Sequence, residues 1–124
     1  MNPTANKRKG AQWESDLVTA LQENGWPRAE RRRLAGTQDK GDVINGPEDW
    51  TLEAKNEKSM TLATYMKEAA AEAKNAGTRW YAAVVKRRNS STLNGYVVMP
   101  LSVFLEVCQA LEEGGLTTTH GKKQ

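Results

Sequence analysis

At 124 residues, with 38% hydrophobic and 27% charged side chains, the chain is sized for one compact domain, too apolar for a disordered polymer and too polar for a membrane bundle. No run of it approaches the roughly 20 apolar residues that a membrane span requires. Net charge is a modest +3, and the single cysteine, Cys108, excludes an internal disulfide and a cysteine-built zinc site.

The distribution of charge is more informative than its sum. Lys7, Arg8 and Lys9 open the chain, Arg28 with Arg31, Arg32 and Arg33 form a second basic block, and Lys86, Arg87 and Arg88 a third. Between them, residues 34–85 hold eight acids and six bases. A basic rim about an acidic centre suits an enzyme that acts on a polyanion through a bound cation, although a charge run is also what any solvated face looks like. Residues 1–10 carry no apolar stretch and read as a basic arm, neither signal peptide nor anchor, so a cytoplasmic location is expected. The folded domain is expected over 11–114 and a disordered tail over 115–124, with His120 in that tail a poor metal ligand.

Trp13, Leu17, Val18 and Leu21 recur at helical spacing, predicting a first helix over Ala11 to Asn24 with Asn24-Gly25 as its stop. Trp26 to Leu34, with Pro27 and several arginines, reads as an irregular or edge strand. Asp42-Val43-Ile44 is a short strand, Asn45 to Asp49 is turn chemistry, and Trp50 to Lys55 is a second strand, so the pair is expected to form a hairpin. Alternation then sends Trp50, Leu52 and Ala54 to one face and Thr51, Glu53 and Lys55 to the other.

Thr61 to Ala76 is rich in helix formers, with Ser59 or Thr61 to cap it and Gly77 just past its end. Its alanines permit close packing on a sheet or another subunit. Trp80 to Val85 is a continuous apolar run suited to a central strand. A polar loop and a strand over Gly95 to Met99 follow. Ser102 is expected to cap a last helix that buries Val103, Phe104, Val107, Cys108 and Leu111 and ends at Gly114-Gly115. The order describes an α/β fold, a mixed central β-sheet flanked by helices.

Phosphodiester hydrolysis needs a water, a cation on the phosphate, and stabilisation of charge on the leaving oxygen. Asp42 and Glu53, on neighbouring strands, can share a hard cation such as magnesium. Lys55, on the same face as Glu53, can polarise the water or meet the phosphate, and Glu14 on the first helix can lean toward the same point. Taken singly, each has a plain structural reading as well: a strand-start aspartate, a solvated cross-strand pair, a first-turn carboxylate favoured by the helix dipole. A second Glu-x-Lys, Glu72-Ala73-Lys74, falls in the second helix, where residues two apart diverge and form no common site.

Lys9-Gly10, Trp13-Glu14, Gly36-Thr37, Gly41-Asp42-Val43-Ile44 and Leu52-Glu53-Ala54-Lys55 together resemble the PD-(D/E)XK nuclease superfamily, and within it the archaeal-type Holliday junction resolvases and their phage-encoded relatives. The similarity spans about residues 7 to 99. It implies a restriction-endonuclease-like nuclease core, working as a homodimer that nicks opposed strands of a four-way DNA junction with Mg2+, Mn2+ as a substitute, to leave 5′-phosphates. For a phage-encoded chain the cytoplasm is the host's. The resemblance makes Asp42 and Glu53 metal ligands, Lys55 the water-orienting base and Glu14 a further acid by the metal. Gly41 stands where the motif has proline, and Thr37, beside Gln38, Asp39 and Lys40, where resolvases often carry a catalytic serine. The basic residues already named, with Lys40, are expected on the DNA backbone. Rival readings are a related endonuclease acting on other DNA structures and a DNA-binding protein without catalysis.

Overall fold

The computed structural model describes residues 3–33 and 38–114, excepting the side chains of residues 3–7. The 115–124 tail, the Gly36-Thr37 loop and the Lys7 side chain therefore lie outside the described residues. In order the elements are α1 (Pro3–Glu23), β1 (Glu30–Arg31), β2 (Val43–Ile44), β3 (Trp50–Lys55), α2 (Leu62–Ala76), β4 (Trp80–Val85), β5 (Tyr96–Val98) and α3 (Leu101–Glu113), with a 3-10 turn at Thr92–Asn94 before β5. The fold is mixed α/β, as expected. None of the described helices is long and apolar enough to cross a membrane.

A three-stranded sheet, ordered β3-β4-β5, forms the centre. β3 and β4 run parallel with Trp50 opposite Trp80 and Lys55 opposite Val85, and β5 pairs antiparallel to β4. A parallel pair needs a crossover, and α2 supplies it. One face of the sheet packs on α1: Trp13, Leu17 and Val18 meet Leu52, Ala82 and Val84, with Trp50 and Ala54 at the margin. The Trp13 indole donates to the Val84 carbonyl at 2.9 Å, so the helix is fixed in register on the sheet. On the opposite face Tyr65 of α2 packs on Ala83 and Val85. Because both faces are covered, Glu53 is buried rather than part of a solvated pair.

Several boundaries differ from expectation. The first helix reaches back to Pro3, so residues 3–10, read as an arm, are its opening turns. The expected hairpin is not a ladder: β2 pairs antiparallel with β1, in a separate two-stranded sheet. Next to β3, Asp42 makes one main-chain bond, its N–H donating to the Leu52 carbonyl at 3.0 Å. With the Ala54 N–H donating to the Asp42 carboxylate, it brings Asp42 beside Glu53 without a second strand pairing.

The last helix starts at Leu101 with Pro100 at its cap position, leaving Ser102 inside the helix. Of its expected buried stripe only Val103 is buried; Val107 and Cys108 are half-buried, and Phe104 and Leu111 are exposed. The apolar residues do recur at helical spacing, but the expected buried stripe is not formed, because the described sheet covers only one turn of that face.

Candidate active site

Asp42 is presented by an unusual backbone. Gly41, immediately before it, has φ +94°, and a Cβ there would lie 2.7 Å from Thr51 Cγ2 and 3.3 Å from the Leu52 carbonyl oxygen. Proline, confined to φ near −65°, has no access to this conformation, and a larger side chain would crowd Thr51 and Leu52, so the position requires glycine. The Gly41 N–H donates to Asp39 Oδ1 at 2.9 Å, and the Ala54 N–H donates to Asp42 Oδ2 at 2.7 Å. The first bond holds the 39–42 turn in shape, and the second ties it to β3.

Glu53 and Lys55 then follow from the alternation of β3, both on the face toward α2. Lys55 Nζ lies 3.6 Å from Glu53 Oε2 and 2.7 Å from Glu68 Oε1, and 5.2 Å from the centroid of the Tyr65 ring. The Tyr65 hydroxyl donates to Glu57 Oε1 at 2.9 Å. Glu14 of α1 pairs with Arg31 at 3.0 Å.

These parts share one open cleft of about 1040 Å³. Glu14, Asp42, Glu53 and Lys55 line it, and Lys9, Lys58, Lys86 and Arg88 stand around it. The expected cluster of acids and lysine is thus brought together, with part of the expected basic rim. Arg28, Arg33, Lys40 and Arg87 are exposed but do not line this cleft, nor do Arg8 and Arg32. Lys58, in the turn after β3, was not singled out from the sequence and does line it.

The acids are poorly compensated. Burial, then the charge of Glu53, pushes the Asp42 carboxyl up to about 8, although the Ala54 N–H pulls the other way. Burial and the neighbouring Glu72 push Glu53 up to about 8 as well. For Lys55 burial favours the neutral amine, but Glu68, Glu53 and Glu57 outweigh it and hold the ammonium above its ordinary range. A charged Lys55 can orient a water or meet a phosphate; as a proton acceptor it is opposed by three carboxylates.

Glu72 is the residue the sequence reading set aside. Its pairing with Lys74 is absent, as expected, yet Glu72 itself is only 5% exposed and faces the sheet. One carboxylate oxygen from each of Asp39, Glu53 and Glu72 lies within 4.8 Å of the other two, an arrangement that could hold a metal ion. Glu53 Oε1 and Glu72 Oε1 are buried with no hydrogen-bond partner. Buried carboxylate oxygens without donors are what a hard cation would satisfy, so the residues present fit such an ion. The signal was available: Tyr65, Ala69, Glu72 and Ala73 sit at i, i+4, i+7 and i+8, on one helical face, and all four are buried.

No protein-family model, no curated protein and no solved structure matches this chain.

Proposed function

We propose that this chain is a divalent-metal-dependent DNA endonuclease with a restriction-endonuclease-like core, acting as a resolvase on four-way junctions. The observation that carries the reading is the cleft: Asp42, Glu53 and Lys55 on its wall, Lys9, Lys58, Lys86 and Arg88 around it, and a buried Glu53 oxygen without a donor. An architectural DNA-binding protein has no use for buried, uncompensated carboxylates beneath its basic surface. Such groups destabilise a fold unless a ligand satisfies them.

Asp42 and Glu53 would hold the cation. When bound, a divalent ion neutralises the phosphate and makes a nucleophile of water near neutral pH. The chain's own part is positioning. The Ala54 N–H fixes Asp42 Oδ2. The Lys55 ammonium, steadied by Glu68, orients the attacking water or contacts the scissile phosphate. The cationic rim takes the flanking phosphates, as backbone contacts that set register. Water oxygen bonds to phosphorus, giving up a proton to solvent, as the bond to the 3′-oxygen breaks and that oxygen takes a proton from solvent, leaving a 5′-phosphate and a 3′-hydroxyl.

A junction offers two symmetric targets and each chain carries one such cleft, so the active species is a homodimer. Exposed Tyr96 and Val97 on the edge strand β5, with Leu101, Phe104 and Leu105 on α3, provide apolar surface for a second copy.

The test is cleavage of a labelled four-way junction beside matched duplex, flap and single strand, with Mg2+ or EDTA, for wild type and Glu53→Ala. Paired, Mg2+-dependent nicks in the junction, lost in Glu53→Ala with binding retained, are expected. Equal cutting of every substrate would leave a nuclease of another specificity, and no cutting at all would leave a DNA-binding protein.

A further inference from the structure

The cleft uses one side of Glu53. Asp39 and Glu72 do not line the cleft, and they meet Glu53 from the α2 side. Asp39 is oriented there by two bonds: its carboxylate accepts the Gly41 N–H at 2.9 Å, and its main-chain carbonyl accepts from Asn75 of α2, also at 2.9 Å. Glu72 reaches the same point from one turn earlier in α2. Three elements therefore converge on it: the 38–41 turn, β3 and α2.

Among the described residues little positive charge meets them: Lys55 is the one cation within ion-pair distance of Glu53, at 3.6 Å, and it is closer to Glu68. Among the described residues neither Asp39 nor Glu72 has an ion-pair partner. The acidic cluster alone would not make a site. The second observation is Glu72 Oε1: its residue is more than nine-tenths buried, the oxygen has no hydrogen-bond partner, and the carboxylate points into the cluster. An all-oxygen donor set with no histidine or sulfur selects a hard divalent cation, Mg2+, Mn2+ or Ca2+.

We infer that Asp39, Glu53 and Glu72 form a second divalent-cation site behind the cleft, with Glu53 shared between it and the Asp42 site. A cation there ties α2 and the 38–41 turn to β3 and fixes the Glu53 carboxylate that the cleft presents. This site rests on the nuclease reading only through Glu53, and it does not require that the cleft cut DNA.

Mn2+ binding to metal-free protein, followed by the loss of the free-ion EPR signal, tests it directly. Wild type is expected to bind two Mn2+ per chain. Glu72→Gln and Asp39→Asn should each abolish one, or weaken it at least tenfold, while Asp42→Asn abolishes the other and leaves that one in place. Glu72→Gln keeps the side-chain shape and removes a buried like charge, so in EDTA it should melt at or above wild type. Asp39 is exposed, so Asp39→Asn gives the same reading with little risk to the fold. Unchanged Mn2+ number and affinity in both variants would overturn the inference. Two-site binding in a protein that cuts no DNA would keep this site and discard the nuclease, whereas junction cleavage with unaltered Mn2+ binding in both variants would do the reverse.

Discussion

The Lys55 ammonium lies 2.7 Å from the Glu68 carboxylate, closer than to Glu53, the partner with which it shares a strand face. Glu68 is almost half exposed, so the pair contributes little to stability, of the order of 0–1 kcal/mol. Its effect is on protonation, since burial opposes the ammonium and Glu68 is the first of the groups that counter it. Glu68→Gln should therefore lower the Lys55 pKa, read by NMR of the side-chain nitrogen, while shifting the melting temperature by only a few degrees. Lys55→Met should reduce junction cleavage by about 100-fold or more, as expected for loss of a charged group at a developing negative charge. An unchanged Lys55 titration in Glu68→Gln would mean that Glu53 and Glu57 hold the charge without it.

The raised carboxyls make stability fall with pH in metal-free protein. A carboxyl whose folded pKa exceeds its unfolded value binds more protons in the native state between the two, so folding weakens as pH rises through that window. For Asp42 the window runs from the ordinary 3.8 to about 8, and for Glu53 from 4.5 to about 8. In EDTA the melting temperature should fall between pH 5 and pH 8 by about 4 °C or more, the equivalent of roughly 1 kcal/mol in a domain of this size. Cation binding must displace the same protons, so saturating Mg2+ should restore most of the loss at pH 8 and little at pH 5. A metal-free protein equally stable at both values would show that the carboxyls are not buried together.

Gly41 allows a sharper structural test, because it combines positive φ with the close approach of Thr51 and Leu52. Gly41→Ala should cost about 1–3 kcal/mol through backbone strain and crowding, measured by urea denaturation. It should also reduce Mg2+-dependent cleavage, because the 39–42 turn moves from the edge of β3 and takes Asp42 with it. Full stability in Gly41→Ala would mean that the turn relaxes elsewhere.

How much of this was legible in the sequence depended on the range of the interaction concerned. Trp50 to Lys55 was recovered as a strand with its alternation, because period-2 patterning is local, and α2 ended at Gly77 as its composition indicated. That Asp42 would lie next to Glu53 was also readable, since a short turn leaves few alternatives. The partner of β2 was not: two-residue strands carry no pattern, and the choice of β1 over β3 is made by tertiary packing. Glu72 is not legible from its Glu-x-Lys spacing, because the context that matters is the helical face it shares with Tyr65, Ala69 and Ala73. The exposure of the last helix is not legible either, because amphipathicity reports an apolar face and not what covers it.

The cleft also separates cations that should matter from those that should not. Lys58 and Arg88 line it, whereas Arg28 is exposed elsewhere on the surface. Each phosphate contact removed should reduce the slope of log affinity against log salt by about 0.9, because one fewer counterion is released. Junction binding measured in Ca2+ from low to moderate salt should therefore lose roughly one unit of slope in Lys58→Ala and again in Arg88→Ala, with Arg28→Ala close to wild type. Arg31→Ala should behave differently again, since it frees Glu14 and adds an uncompensated carboxylate at the cleft wall. Its expected effect is weaker binding at every salt concentration with little change in slope. Equal slopes in Lys58→Ala, Arg88→Ala and Arg28→Ala would mean that the cleft does not make the phosphate contacts proposed for it.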